Sequence, residues 1–428
     1  MDSFEERESF DKGAVIKVCG VGGGGGNAVN RMIEAGMTNV DFIAINTDAM
    51  DLKSSLAATR LQIGWGRGLG AGAKPEVGRQ SCEDDRERVR GVLEGADMVF
   101  LAAGLGGGTG TGASPIVAEE AAAAGALVVA IVTLPFSYEG KERMDNALAG
   151  LEELEEHVDS LIVVPNDRIA YLSDKDTRFI DSFRKGDEVL HDGVRAISQL
   201  ITEPGLINVD FADVRTVMEA RGRALMGIGV AEGNDRALRA AQEAITCPLL
   251  EQSTIEGAQG VIINVRGGED LRTVEVNNAN EFIMHSIGNE AKIVAGTMID
   301  KDDRPEVQIT VIAAGFPKRD PSEYTKPRRM SEAVKQSLNP TPLVIEKAAP
   351  VSEAAKPSSL MPEINTRPET APISAAPKRV MPNKPKPEKS VSGQKELPLG
   401  VPMPAEVPEK EEVNLSIPAF LRRAMNKK

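Results

Sequence analysis

Two glycine-rich runs, each set between an apolar run and a helical pattern, constrain this chain more than any other feature. The first, Gly20-Val21-Gly22-Gly23-Gly24-Gly25-Gly26-Asn27, follows the apolar run Ala14–Cys19. The second, Gly104-Leu105-Gly106-Gly107-Gly108-Thr109-Gly110-Thr111-Gly112, follows Met98–Ala103 and precedes Ser114-Pro115. Glycines at a strand-to-helix turn let backbone N–H groups approach an anion, and the helix N-terminus adds positive potential. The first run alone also fits a dinucleotide-binding turn, which needs an acidic ribose partner about 20 residues on. Asp48 could fill that role, although Ile45-Asn46-Thr47-Asp48 reads equally well as a turn. Two phosphate loops at two strand ends exceed what a pyrophosphate needs and suit a triphosphate with its metal. The hydroxyls of Thr109 and Thr111 add donors for phosphate oxygens. A flexible glycine hinge is the bland alternative, and the regular Gly/Thr alternation argues against it. No Gly-x-x-x-x-Gly-Lys-Ser/Thr run is present, so the chain is not a P-loop NTPase.

Further apolar runs at Phe42–Ile45, Leu127–Thr133 and Leu161–Pro165, mostly separated by helix-length segments, imply an α/β fold with a parallel sheet. Phe179, Ile180, Phe183, Val189, Leu190, Val194, Ile197 and Ile201 recur at helical spacing up to the stop at Pro204-Gly205. Runs at Val261–Val265, Ile293–Met298 and Ile309–Ala313 follow. The expected organisation is a flexible N-terminus (1–12), a parallel-sheet nucleotide-binding domain (13–177), a long central helix (178–204) and a second, smaller α/β domain (205–316). Composition breaks near Pro317, since 18 of the 26 prolines follow it and Tyr324 is the only aromatic from Lys318 to Val413. Such a stretch cannot bury enough apolar surface to offset chain entropy, so 317–413 reads as a disordered linker. Apolar and basic residues return in 414–428, which reads either as a docking peptide or as a frayed tail.

The net charge of −14 disfavours nucleic acid as a partner. Cys19, Cys82 and Cys247 are far apart, without metal-ligand spacing, and suggest reduced thiols in a cytosol. No apolar run reaches the ~18 residues of a membrane span, so any membrane role is expected to pass through a partner.

The run Gly106-Gly107-Gly108-Thr109-Gly110-Thr111-Gly112 resembles the signature of the tubulin/FtsZ family. Ala96-Asp97-Met98-Val99-Phe100 before it, and Pro135-Phe136-Ser137-Tyr138-Glu139-Gly140-Lys141-Glu142-Arg143 after it, resemble the FtsZ branch. The likeness spans roughly Ala14 to Phe316, plus the C-terminal peptide. It implies a self-polymerising GTPase of the cytoplasmic division ring that binds GTP and GDP with Mg2+ carried by the phosphates. The resemblance places Gly22, Gly23, Gly24, Gly25, Gly26 and Asn27 around the α/β-phosphates, and Gly106 to Gly112, chiefly Gly108, Thr109 and Gly110, around the β/γ-phosphates. Glu139 would bind ribose, Arg143 the ribose–phosphate side and Asn166 the guanine, with Phe183 stacking on the base. Asp187 would accept from guanine's N1–H and amino group, two donors that adenine lacks together. Without the resemblance, a core Phe183 and a solvated Asp187 are the simpler readings.

Asn208-Val209-Asp210-Phe211-Ala212-Asp213-Val214 sets two carboxylates three apart, on one face if helical. Helix capping by Asp210 is the simpler reading. The resemblance makes this the loop that reaches the next subunit's γ-phosphate, with Asp210 and Asp213 polarising water and Asn208 positioning it. Ala73-Lys74 lies in the expected γ-phosphate loop, where the family usually has Asn in place of Lys74. That ammonium could strengthen phosphate binding or replace a monovalent cation such as K+; a solvent-pointing lysine is the alternative. Gly186 stands where Ala is common. Trp65 sits in a polar loop and reads as exposed. Ile417, Pro418, Phe420 and Leu421, with Arg422 and Arg423, would dock on membrane tethers and regulators of division. A nicotinamide-dependent oxidoreductase leaves the second glycine loop unexplained, and a non-catalytic filament protein leaves the hydrolytic residues unexplained.

Overall fold

Met98–Ala103 is apolar at every position, as a strand covered on both faces must be. A computed structural model describes residues 13–169, 178–203, 205–206, 209–250, 255–287, 291–300 and 304–318, with backbone only at 179–183. Asn208, the N-terminal 1–12, the docking peptide with Ile417, Pro418, Phe420, Leu421, Arg422 and Arg423, and all of the linker but 317–318 lie outside the described residues.

The first half alternates strand and helix: β1 (Ile16–Val21), α1 (Gly22–Glu34), β2 (Asp41–Asn46), α2 (Ala49–Ser54), β3 (Thr59–Gln62), α3 (Pro75–Asp84) and α4 (Arg86–Leu93). It continues through β4 (Met98–Gly104), α5 (Thr109–Ala123), β5 (Leu127–Leu134), α6 (Lys141–Glu155), β6 (Ser160–Pro165) and α7 (Asn166–Ile169). After α8 (Phe179–Thr202) come α9 (Phe211–Met218), β7 (Gly222–Glu232), α10 (Arg236–Thr246), β8 (Gly260–Gly267), α11 (Thr273–Ile287), β9 (Lys292–Ile299) and β10 (Glu306–Phe316). The ten strands form one sheet in the order β3-β2-β1-β4-β5-β6-β7-β10-β8-β9. β1 to β6 are parallel neighbours throughout. β6 pairs with β7 only at its start, through Ser160↔Gly222 to Ile162↔Ala224. β10 is antiparallel to both β7 and β8.

The period of two along β4 explains its composition. Met98, Phe100 and Ala102 enter a core with Val29 and Met32 of α1 and Val194 and Ile197 of α8. Val99, Leu101 and Ala103 enter a second core with Val89 of α4, Val117 of α5 and Leu151 of α6. Each fully buried Val, Leu or Ile contributes about 1.5–3 kcal/mol. Two strands, β3 and β7, were not expected. Thr59–Gln62 is an edge strand with exposed Thr59 and Arg60, so it lacks an apolar run. β7 carries Gly222, Gly227 and Gly229, and the latter two lie where a Cβ would strike the backbone of α10, so close helix packing diluted the strand signal. Cys19, Cys82 and Cys247 are buried and unbridged. Burial pushes the Cys19 and Cys82 thiols up to about 12, so they pack as apolar side chains.

Where the two halves of the sheet meet, Arg223 of β7 donates from Nε to Glu155 Oε1 at 3.1 Å and from its second nitrogen to Oε2 at 3.2 Å. Both side chains are under 5% exposed. Removing the carboxylate takes the opposite charge away from a buried guanidinium. Glu155→Ala should therefore lose about 3–5 kcal/mol in urea unfolding, and Glu155→Leu with Arg223→Met should recover most of that loss.

Candidate GTP site

Within β3-β2-β1-β4-β5-β6 the strand order reverses between β1 and β4. The helices after these two strands leave to opposite faces, opening a crevice beyond their C-terminal ends. A cavity of about 290 Å³ occupies that crevice. Gly23, Gly24 and Asn27 from the first turns of α1 line it, with Gly107, Gly108, Thr109 and Gly110 at the start of α5. Two helix N-termini thus aim unpaired N–H groups and about half a positive charge each at one space.

Gly104 also lines the cavity, whereas Gly22, Gly25, Gly26, Gly106 and Gly112 do not. Gly22 has φ +72°, a left-handed conformation that L side chains rarely adopt. A Cβ on Gly25 would overlap the Ala102 carbonyl oxygen of β4, whereas one on Gly26 would meet nothing within 4 Å. Gly106 donates its N–H to the buried Thr111 Oγ1 at 2.8 Å, closing the second loop on itself. Gly112 lies where a Cβ would strike Pro75, so it lets α3 pack on α5.

Ala73 lines the cavity and Lys74 does not: Lys74 is exposed at the N-cap of α3. Glu139 and Arg143 line the cavity and pair at 2.8 Å. Asn166, at the end of β6, lines it together with Gly186 and Asp187 of α8. Phe183 lies on α8, and its side chain is outside those described. Burial pushes the Asp187 carboxyl up to about 6, against the pull of Arg31, whose Nε donates to Oδ2 at 2.9 Å.

Among the described residues lining the cavity, Asp48, Asp51, Glu139 and Asp187 face the single cationic side chain Arg143. A polyphosphate bound there gains from a divalent cation. The hard oxygen donors Asp48, Asp51 and Thr109 fit Mg2+, which commonly takes one or two carboxylates plus phosphates and water. Asn46, Asp51, Thr133 and Pro135 were not expected at the site. Their shared signal is position, since each stands at or just beyond the C-terminal end of β2 or β5. Asp48 takes the turn role, capping α2 by accepting from Met50 N–H at 2.9 Å. Thr47 Oγ1 meets Thr109 Oγ1 at 2.7 Å and joins that turn to the second glycine loop.

Asp210 and Asp213 do not line the cavity. Asp210 occupies the N-cap of α9 without a side-chain capping bond, and both carboxylates are exposed. Asp213 Oδ1 is 3.8 Å from Lys292 Nζ. α8 runs on for 15 residues from Asp187, beside the cavity, to its end at Thr202, roughly 22 Å at 1.5 Å per residue. Ser160, at the start of β6, donates to the Met218 carbonyl at the end of α9. Arg215 of α9 donates to the Gly125 carbonyl just before β5. α9 therefore stands at the edge where the parallel strands begin, opposite the cavity.

Residues 15–174 match the model of the tubulin/FtsZ family GTPase domain, and residues 222–317 match the FtsZ family C-terminal domain. The structure resembles an empty FtsZ dimer from M. jannaschii at 40% identity and TM-score 0.68, covering 71% of this chain and 88% of that one. A tryptophan-to-tyrosine mutant of FtsZ from M. jannaschii matches at the same 40% identity and TM-score 0.68, covering 71% of this chain and 91% of that one. This chain belongs to the tubulin/FtsZ family. It is an FtsZ-like GTPase, so GTP and GDP are its nucleotides. CetZ2 from Haloferax volcanii, solved as a GTPγS-bound protofilament, shares the fold at 23% identity and TM-score 0.62, covering 76% of this chain and 99% of that one.

Close approach at the first glycine loop of this FtsZ-like chain separates two neighbouring substitutions. Gly25→Ala should lower the thermal midpoint and weaken GTP binding at least about tenfold, because the new methyl group must displace α1 from β4. Gly26→Ala should bind GTP within about twofold of the parent, since its Cβ points into open space.

Proposed function

We propose that this GTPase polymerises head to tail and hydrolyses GTP at the junction between subunits, forming the cytoplasmic ring at the mid-cell division site. The observation that carries the reading is the opposition of the two half-sites. The phosphate cradle lies beyond the C-terminal ends of β1 and β4, while Asp210 and Asp213 stand at the other edge of the sheet. No rigid chain brings its own α9 to its own cavity. A second copy stacked in the same orientation does, and that heterologous contact repeats into a filament. Exposed apolar side chains at both edges support the stacking: Met50 and Leu69 beside the cavity-lining Asp48, Trp65 in the same loop as Leu69, and Leu206 ahead of α9.

The bound nucleotide uses both glycine loops for its phosphates, with Glu139 and Arg143 at the ribose and Asn166, Phe183 and Asp187 at the guanine. Asp48, Asp51 and Thr109 are the residues that would hold Mg2+, which would supply positive charge to offset that of the phosphates. Asp210 and Asp213 of the next subunit, with Asn208, orient and polarise the attacking water. Phosphoryl transfer depends mainly on such positioning and electrostatics, so assembly switches hydrolysis on. The segment 414–428 would dock on membrane-tethering and regulatory division proteins through Ile417, Pro418, Phe420 and Leu421, with Arg422 and Arg423 meeting an acidic rim and the linker setting its reach.

Asp213→Ala should bind GTP and sediment as polymer yet lose about 10²-fold or more in phosphate release. Turnover per molecule of the parent should rise with protein concentration above a threshold, and a rate independent of concentration would remove the shared site. Lys74, beside Ala73, is the candidate substitute for a monovalent cation. Turnover of Lys74→Asn should then depend on K+ more steeply than that of the parent; identical dependence would dismiss that role.

A further inference from the structure

Asp187 is the acceptor at the base end of the cavity, and a buried carboxyl is a poor acceptor unless something keeps it ionised. Its partner comes from another element. Arg31 lies in the last turn of α1, whose first turns carry Gly23, Gly24 and Asn27 at the phosphate end. α1 packs against α8, and the Arg31 Nε donates to Asp187 Oδ2 at 2.9 Å. The two side chains are only 21% and 20% exposed, so the pair is largely shielded from water. The guanidinium engages one oxygen and leaves Oδ1 and a lone pair of Oδ2 for a ligand.

We propose that Arg31 is a positioning residue for base recognition: from α1 it holds Asp187 as an ionised, oriented pair of acceptors for a purine that presents a ring N–H beside an amino group. This rests on the reading that Asp187 faces guanine. It adds that the helix cradling the phosphates also sets the charge state at the base, so one rigid element registers both ends of the nucleotide.

The electrostatic setting agrees. Among the described residues, the charges acting most on Asp187 are Arg31, which favours the carboxylate, and the adjacent Glu188, which opposes it. Arg184 and Lys185 precede it on α8, and Asn166 from the end of β6 is neutral. Burial is the largest influence and drives the carboxyl up to about 6 even with Arg31 present. Without Arg31, nothing comparable counters burial and Glu188, and the neutral acid gains ground near pH 7. A protonated carboxyl presents an O–H donor where the ligand needs an acceptor.

The test is GTP affinity of the full chain, below the assembly threshold, from pH 5 to 8.5, beside inosine triphosphate, which lacks the amino group. In the parent, GTP affinity should hold above about pH 6 and fall up to tenfold per unit below it, because the bound form requires the carboxylate. In Arg31→Gln the midpoint should move up by about one unit or more. Affinity at pH 7 should then drop several-fold and recover by pH 8.5. Arg31→Lys, which keeps the charge, should restore most of the midpoint. Arg31→Met, which keeps the apolar stem, should behave as Arg31→Gln and guards against a packing artefact. An unmoved midpoint in both neutral variants overturns the proposal, as does a loss of affinity equal at every pH. Asp187→Asn separates this from the reading beneath it: unchanged preference for GTP over inosine triphosphate in that variant overturns base recognition by Asp187, and the role of Arg31 with it.

Discussion

Everything at the site depends on β1 and β4 lying side by side while their following helices depart to opposite faces. That reversal lets two helix N-termini converge on one space. A triphosphate carries more negative charge than one helix end offsets, and two ends with a cation offset it far better. The arrangement demands backbone contact between elements, which explains why the glycines are distributed unequally in role. Gly23, Gly24 and Gly108 line the cavity, whereas Gly25 and Gly112 let α1 touch β4 and α3 touch α5.

The same sheet sets the phosphate loops at one edge and Asp210 and Asp213 at the other. A parallel strand places its C-terminal end at one edge and its start at the other. α8 then carries the chain from the base end of the cavity back past the full depth of the sheet before α9 begins. Separation of Asp213 from the phosphate loops is therefore a consequence of topology.

Charge follows a similar logic. Among the described charged side chains lining the cavity, four carboxylates face one cation, and the chain as a whole is acidic. The positive groups offered to an anionic nucleotide there are the backbone N–H groups of two helix starts and Arg143, not a basic surface. Asp187 also lines the cavity, and its burial sharpens its response to neighbouring charge.

Much was legible without a structure. The two glycine runs, the apolar strands and the long helical period each rest on local chemistry: φ freedom, burial on both faces, and a repeat of 3.6. β3 and β7 escaped notice because an edge position and a helix pressed on glycine erase the local apolar signal. Asn46, Asp51, Thr133 and Arg31 were equally silent, since a strand end or a helix turn acquires a role only from what the fold sets opposite it. The sequence by itself determined that this chain carries two strand-to-helix turns open to close backbone approach, because glycine's backbone freedom is a property of the residue. Only the tertiary structure decided that the two turns meet at one crevice, that Arg31 reaches Asp187, and that Asp210 and Asp213 stand at the far edge. Those facts are distances between segments remote in sequence, and strand order is what sets them.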